Sequence, residues 1–247
     1  MNHVETLRIE GTRLSAAARA AGLDAPVEHC PGWTVGRLLG HTGKVLQRTN
    51  LCVTDGLLSA PADDRFGSLP RDEALFDAFD EILATICQTL VTCDPNGPSW
   101  NFSGENFVNS FWMRRMAHEI EIHRWDAQNA AGVIIDAFDD TSAVDGIDEL
   151  LTVLMPILSA VKNPELSSSF HLHCTDVPGE WLTTFVNGQP VTIREHAKGD
   201  LAVRGPASGL YARAWNRGPI LANGLAGPVD EAAFLATLTA GCVRMTE

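Results

Sequence analysis

Residues 1–162 carry apolar side chains at the spacing of amphipathic helices, and this pattern limits the fold more than any other feature. Val4, Leu7 and Leu14 lie three and seven positions apart, which puts them on one face of a helix. Three further patterns of this kind follow, the first of them after the N-cap candidate Thr34, and polar segments with Pro or Gly separate them. Four long helices with polar connections predict an up-and-down bundle.

The pattern changes after residue 162, and we interpret this change as a domain boundary. A helical stretch over 143–158 precedes the change and is therefore assigned to the bundle. The predicted domains are a helical bundle, 1–162, and a small α+β domain, 163–247.

The second domain contains strand and turn patterns. Residues 170–174 alternate apolar and polar side chains as a half-buried strand does. Asn187-Gly188 is a typical hairpin pair, and 200–204 is a further strand candidate. A last helix is predicted over 230–242.

Charge, N-terminus and cysteine spacing limit the function classes. The formal net charge is −13, and an acidic surface repels a phosphate backbone, so a nucleic-acid partner is disfavoured. The N-terminus lacks the basic start and apolar core of a signal peptide, and no apolar run approaches the ~18 residues of a membrane span. These features predict a cytoplasmic protein without a membrane partner. The six cysteines include no C-x-x-C pair, which favours small buried side chains over a disulfide framework.

The segment from His118 to Asp126 is the most informative part of the chain, because it invites comparison with the H-E-x-x-H zinc motif. His118 and His123 are five positions apart and diverge by roughly 140° around a helix, so they cannot share one metal ion. Glu119 and His123 are four positions apart and diverge by only ~40°, so they can share one. A carboxylate oxygen with an imidazole nitrogen suits zinc and related divalent cations.

A third ligand has to come from another helix, and His41 is the best candidate because it lies beside Leu38 and Leu39 near the apolar stripe. An alternative interpretation stays open at this point. A histidine beside an apolar stripe is more often a hydrogen-bonded core residue, and E-x-x-x-H pairs occur often by chance on helices. Spacing alone therefore leaves both interpretations standing.

Three segments resemble the mycothiol-dependent maleylpyruvate isomerase family, which belongs to the DinB-like superfamily. They are 30–41 (CPGWTVGRLLGH), 118–126 (HEIEIHRWD) and 199–208 (GDLAVRGPAS). The three occur in the order expected for the family and span most of the chain.

The resemblance implies an N-terminal DinB-like four-helix bundle that binds a divalent metal, usually zinc, followed by a small sterol-carrier-like α+β domain. The family's ligands are a histidine of the second helix and an E-x-x-x-H pair of the fourth, which correspond here to His41, Glu119 and His123. Its thiol cosubstrate is mycothiol, the low-molecular-weight thiol of actinobacteria. Residues 220–228, rich in Gly and Ala, depart from a short strand with a G-D pair that is common in the family.

Three protein ligands would leave one coordination position open, as in catalytic zinc sites. A thiol bound there would lose its proton, and the thiolate could isomerise a cis double bond by addition, rotation and elimination, or be transferred to an electrophile. We therefore predict a divalent-metal-dependent thiol enzyme, either maleylpyruvate-isomerase-like or a mycothiol S-transferase, with a small-molecule substrate. The alternatives are a non-catalytic metal-stabilised module that binds a small molecule, and a hydrolase that uses zinc-bound water.

Arg204 is the candidate catalytic residue outside the metal ligands. It follows a predicted strand and precedes a helix, where a guanidinium could bind a carboxylate of the substrate or thiol, and a surface ion pair is the alternative. Asp126 could orient His123, or it could pair with Arg124 or Arg115.

Three other histidines and one glutamate are predicted to lie outside the metal site. His171 and His173 share one face of a strand, but no third ligand is evident, so an exposed strand face is predicted. His118 is predicted at the helix surface or an interface, and Glu121 toward solvent.

Overall fold

Four helices form the N-terminal part of the computed structural model, which describes residues 1–62, 65–162, 167–218 and 226. These helices are α1 (His3–Ala21), α2 (Val35–Thr54), α3 (Ala74–Thr92) and α4 (Asn109–Ala130). Thr34 caps α2 as predicted, because its side chain accepts a hydrogen bond from the backbone N–H of Arg37. Apolar residues of all four helices share one core.

Helix α4 is buried on all its faces over much of its length. Every residue from Ile120 to Gln128 is buried, including the charged ones. Arg124 is fully buried, and its Nε donates to Glu10 Oε2 of α1 at 2.7 Å. Its Nη1 donates to Gln128 Oε1 at 2.8 Å. These bonds offset the cost of burying polar groups, so α4 can be buried on all its faces in spite of its polar sequence.

A four-stranded sheet lies in the C-terminal part, ordered β3-β2-β1-β4. Its strands are β1 (Ser169–Cys174), β2 (Glu180–Val186), β3 (Gln189–Ile193) and β4 (Leu201–Gly205), and α7 (Ala207–Ala214) follows them. Strand β1 runs antiparallel to β2 and parallel to β4. Asn187 and Gly188, with φ of +52° and +76°, form the turn between β2 and β3 as predicted. The helix predicted over 230–242 lies outside the described residues.

The chain divides into two compact units, Met1–Asp136 and Ala137–Glu247, whereas the predicted boundary followed residue 162. The intervening residues form α5 (Asp140–Glu149), a π-helical stretch (Leu150–Leu154) and α6 (Met155–Lys162). Helix α5 packs on α7, and the π-helical stretch and α6 pack on β3. Periodicity detects an apolar helix face but not the core that covers it, which explains the difference.

The predicted fold class, a four-helix bundle followed by an α+β part, is confirmed. Within the described ranges, no helix has the length and apolarity needed to cross a membrane. Four described cysteines are buried and a fifth is half-buried, as their spacing predicted, and Cys242 lies outside the described residues.

Gly146 of α5 makes a close contact that any side chain would disturb. An added Cβ would lie 2.5 Å from the ring of Tyr211 on α7, which is fully buried. We expect Gly146→Ala to lower the free energy of unfolding by about 1–3 kcal/mol, because overpacking forces the two helices apart. Urea denaturation followed by circular dichroism measures this loss.

Gly40 of α2 offers a matched control. No atom outside its own stretch of helix lies within 4 Å of its Cβ position. Gly40→Ala should therefore be neutral or raise the free energy of unfolding by up to about 1 kcal/mol. Equal losses for Gly40→Ala and Gly146→Ala would contradict the importance of the Tyr211 contact.

Candidate metal centre

His41 on α2 meets Glu119 and His123 on α4 inside the bundle, so the structure brings the three predicted ligands together. His41 Nε2 lies 3.2 Å from Glu119 Oε1, and His123 Nε2 lies 3.4 Å from the same oxygen. The three candidate ligand atoms all lie within 4.8 Å of one another. Two positions of α4 that are four residues apart and one facing position of α2 therefore converge on a single point.

The spacing of these atoms fits a small divalent cation. Zinc binds imidazole nitrogen and carboxylate oxygen at about 2.0–2.2 Å, so neighbouring ligand atoms around a tetrahedral ion lie about 3.3 Å apart. The two nitrogen–oxygen distances to Glu119, 3.2 and 3.4 Å, match that value. Two imidazoles and one carboxylate form a donor set that suits Zn²⁺ and related cations.

The atoms of Glu119 and His123 that point away from the shared centre contact other side chains of α4. Arg115 donates to Glu119 Oε2 at 2.6 Å, which leaves Oε1 facing the two histidines. Asp126 Oδ2 lies 3.0 Å from His123 Nδ1, so Nε2 is the ring nitrogen that faces Glu119 and His41. A contact between Asp126 and His123 is one of the alternatives that the sequence left open, and it is the arrangement that ligating histidines usually need.

Trp33, which directly precedes the N-cap of α2, covers the two histidines. Its ring centroid lies 5.0 Å from that of His41 and 6.4 Å from that of His123. The indole is buried, and the guanidinium of Arg37, in the first turn of α2, lies 4.9 Å from the ring centroid. Trp33 belongs to the 30–41 segment that resembles the family, and its place one residue before the cap is the signal that could have linked it to the site.

Burial and hydrogen bonding oppose each other in the electrostatics of the site. Burial alone would raise the pKa of Glu119, but hydrogen bonds with His123 and His41 and the charge of Arg115 hold it well below its ordinary value. Burial alone would lower the pKa of His123, but hydrogen bonds with Asp126 and Glu119 raise it to about 9. Without a cation, the site is therefore a carboxylate paired with an imidazolium.

A second set of possible ligand atoms shares His123, because Cys30 and Asp126 lie on the Nδ1 side of its ring. Cys30 Sγ lies 3.7 Å from Asp126 Oδ2. All three of these residues are buried, whereas 29% of the His41 side chain is exposed. Of the two sets, the one with His41 is the more exposed and would leave an ion more accessible to a substrate, whereas Asp126 is placed to orient His123.

The surface position predicted for His118 and the solvent-facing position predicted for Glu121 are wrong, because α4 is more deeply buried than its polar sequence indicated. His118 is fully buried and its Nδ1 lies 3.0 Å from Glu121 Oε2, which is itself buried. Neither residue is at the surface or toward solvent.

Arg204 lies on β4 in the second unit, opposite His173 in the parallel register with β1. Arg204 is exposed, so its guanidinium is accessible to an anionic ligand. Its role in binding such a group stays a prediction.

Comparison with known proteins gives matches over both units. A family model described as "Mycothiol maleylpyruvate isomerase N-terminal domain" matches residues 4–128, and one described as "MDMPI C-terminal domain" matches residues 141–236. A comparison with curated proteins found no significant match.

Two solved structures share the fold. A crystal structure of the mycothiol-dependent maleylpyruvate isomerase is 14% identical with a TM-score of 0.55, and the match covers 91% of this chain and 91% of that chain. A histidine-to-alanine mutant of that enzyme is 13% identical with the same TM-score and coverage. At these identities the likeness shows the fold alone.

The raised pKa of His123 predicts a pH dependence of stability in protein treated with a chelator. A histidine in the unfolded chain has a pKa of about 6.5, so stabilisation by the charged form is full below that pH. It is lost as the pH rises through about 9, the value in the folded protein. Urea denaturation at pH 6.5 and at pH 9 measures the loss.

The histidine variants identify the group responsible. His123→Gln should show a much smaller loss of stability between the two pH values than the unchanged chain. His29→Gln, outside the candidate ligand set, should keep the full loss. The same pH dependence in His123→Gln and in the unchanged chain would contradict the assignment.

Proposed function

The chain belongs to the mycothiol maleylpyruvate isomerase family, and we propose that it is an enzyme in which His41, Glu119 and His123 hold a divalent cation. Zn²⁺ is the cation that the two imidazoles and one carboxylate suit best. The cosubstrate is a low-molecular-weight thiol, mycothiol by family, and the substrate is a small electrophilic molecule.

One observation carries this proposal, namely that two imidazole nitrogens approach one oxygen of Glu119 at distances typical of ligands around one small ion. Side chains that are themselves buried or hydrogen-bonded support this arrangement. Asp126 holds the ring of His123, and Arg115 holds the second oxygen of Glu119. Such outer contacts fix the orientation of ligands before an ion binds.

The chemistry of the proposed centre needs an external thiol. When bound, the cation supplies positive charge that favours the thiolate form of a thiol at the site. Three of the described cysteines are poorly suited to that role, because burial raises the pKa of Cys52 and Cys87 to about 11 and that of Cys174 to about 12. These three thiols stay protonated at neutral pH.

We propose two reaction types for this site. In an isomerisation, the thiolate sulfur adds to one carbon of a cis double bond, which leaves a carbon–carbon single bond. Rotation about that carbon–carbon bond and elimination of the thiolate then re-form the double bond in the trans configuration. In an S-transfer, the thiolate adds in the same way, the neighbouring carbon takes up a proton, and the new sulfur–carbon bond persists in the product. Trp33 would cover one side of the site and exclude water from it, since its buried ring lies against both histidines.

Hydrolysis by metal-bound water is the less favoured reaction. A hydrolase needs a general base beside the ion. Glu119 is already engaged by Arg115 and both histidines, so it is poorly placed for that role.

The non-catalytic alternative, a module that only binds a small molecule, is tested by turnover below. A cytoplasmic location stays a prediction.

Deletion of a ligand should remove the metal. We expect His41→Ala and His123→Ala each to lower the zinc content of protein reloaded after chelation by one equivalent, measured by plasma mass spectrometry. Asp126→Asn should keep the ligands but weaken zinc binding by about 10–100-fold, because His123 loses its orienting partner. His29→Ala is the matched histidine control and should bind as much zinc as the unchanged chain. An unchanged zinc content in folded His41→Ala would refute the metal site.

Turnover should depend on the thiol. Zinc-loaded protein should isomerise maleylpyruvate, or form a thioether with another electrophile, only when mycothiol is present, as followed by absorbance and mass spectrometry. Arg204→Gln should raise KM for an anionic substrate by about tenfold or more, because a charge-assisted hydrogen bond contributes about 1.5–3 kcal/mol. Arg204→Lys should recover part of the loss, since the charge remains. Turnover without thiol would favour the hydrolase, and binding without turnover would favour the module.

A further inference from the structure

A second cluster of metal-binding side chains lies on one face of the sheet in the C-terminal unit. His171 and His173 come from β1, and Glu180 is paired directly with His173 across the β1–β2 register. His196 comes from the segment after β3. The opposite face of β1, with Phe170 and Leu172, is buried in the apolar core.

The three histidines converge on one carboxylate oxygen. Glu180 Oε1 lies 2.6 Å from His196 Nδ1 and 3.6 Å from His171 Nε2, and it also contacts His173 Nδ1. The four candidate ligand atoms all lie within 4.8 Å of one another. Ligand atoms around a tetrahedral zinc ion lie about 3.3 Å apart, so the cluster needs only small side-chain adjustments to enclose one.

His171 provides a second, independent indication of a ligand. The residue is only 7% exposed, and its Nε2 has no hydrogen-bond partner among the residues that the structure describes. A buried polar atom without a partner costs free energy unless another group satisfies it. This nitrogen faces Glu180 Oε1, which puts it on the side of the ring where the other three side chains meet.

We propose that His171, His173, Glu180 and His196 form a second site for a divalent transition-metal cation of the zinc type. It uses none of the ligands of the bundle site, so it goes beyond the proposed function. Four protein ligands would fill a tetrahedral coordination shell, which is the mark of a structural site. The ion would tie the segment that contains His196 to the face of β1 and β2.

The site would also be reachable from solvent during loading. His173 and Glu180 line a cleft of about 620 Å³, together with Asp148, Trp181 and Arg194. The side chain of His196 is 79% exposed, so it can move aside as the ion enters. Arg194 Nε donates to Asp148 Oδ1 at 2.6 Å, so the guanidinium beside the cleft is already paired with a carboxylate.

The test counts metal in the full chain. Protein stripped with a chelator is titrated with Co²⁺, whose visible absorption reports tetrahedral coordination, and bound metal is measured after dialysis. We expect two equivalents in the unchanged chain and one in His173→Ala/His196→Ala, which removes the two more exposed ligands. Thr184→Ala, on the same face of β2, is the matched control and should retain both equivalents.

Combination with the bundle variant separates this proposal from the proposed function. His41→Ala should lose one equivalent, and His41→Ala with His173→Ala/His196→Ala should bind none. If His41→Ala loses no metal but the double variant does, only the bundle site is refuted. If the double variant binds as much Co²⁺ as its parent, or if the second equivalent binds only at millimolar Co²⁺, the sheet site is refuted.

His171→Ala provides an additional variant, with circular dichroism to check folding because the residue is buried. A folded His171→Ala protein should lose the tetrahedral Co²⁺ absorption of the sheet site. Retention of that absorption would show that His171 is not a ligand and would overturn the four-ligand assignment.

Discussion

The burial of α4 on all its faces is the constraint on which the site depends. A helix buried on all faces normally has an apolar sequence, but α4 is rich in charged residues. Each of its charged side chains therefore needs a partner, and the fully buried Arg124, bonded to Glu10 of α1, is one example. The same requirement sets the orientation of Glu119 and His123, whose outer atoms contact Arg115 and Asp126. A rigid, preorganised pair of candidate ligands results from the way the helix satisfies its own polar groups.

This burial also explains how far the sequence could predict the candidate site. Helical spacing alone identified Glu119 and His123 as a pair and excluded His118, because angular positions on a helix follow directly from numbering. The apolar stripe made His41 a candidate, but the choice between a ligand and a core residue required the resemblance to a family, because contacts between helices depend on packing. The same limitation explains the wrong prediction of a solvent-facing Glu121, since a polar residue on a buried helix has the same local sequence pattern as one at the surface.

The second unit illustrates a similar limit for sheets. Alternation correctly predicted that His171 and His173 share a face, but the predicted exposure of that face is wrong for His171, which is buried. The Asn187-Gly188 pair correctly predicted the hairpin. Glu180 and His196, however, join that face through strand register and a later segment of chain, which a local pattern does not contain. Likewise, the predicted boundary after residue 162 differs from the division at Asp136, because α5 and α6 have apolar faces that could have covered either core.

The division of the bundle ligands between two helices has a consequence for the choice of ion. The separation of Glu119 and His123 is fixed by the pitch of α4, whereas the distance of His41 from both is set by how closely α2 packs on α4. An ion of larger radius would need the third ligand to lie farther away, and the helices would have to move apart to accommodate it. Selectivity among cations in the proposed centre would thus depend on apolar side chains between α2 and α4 that never contact the ion.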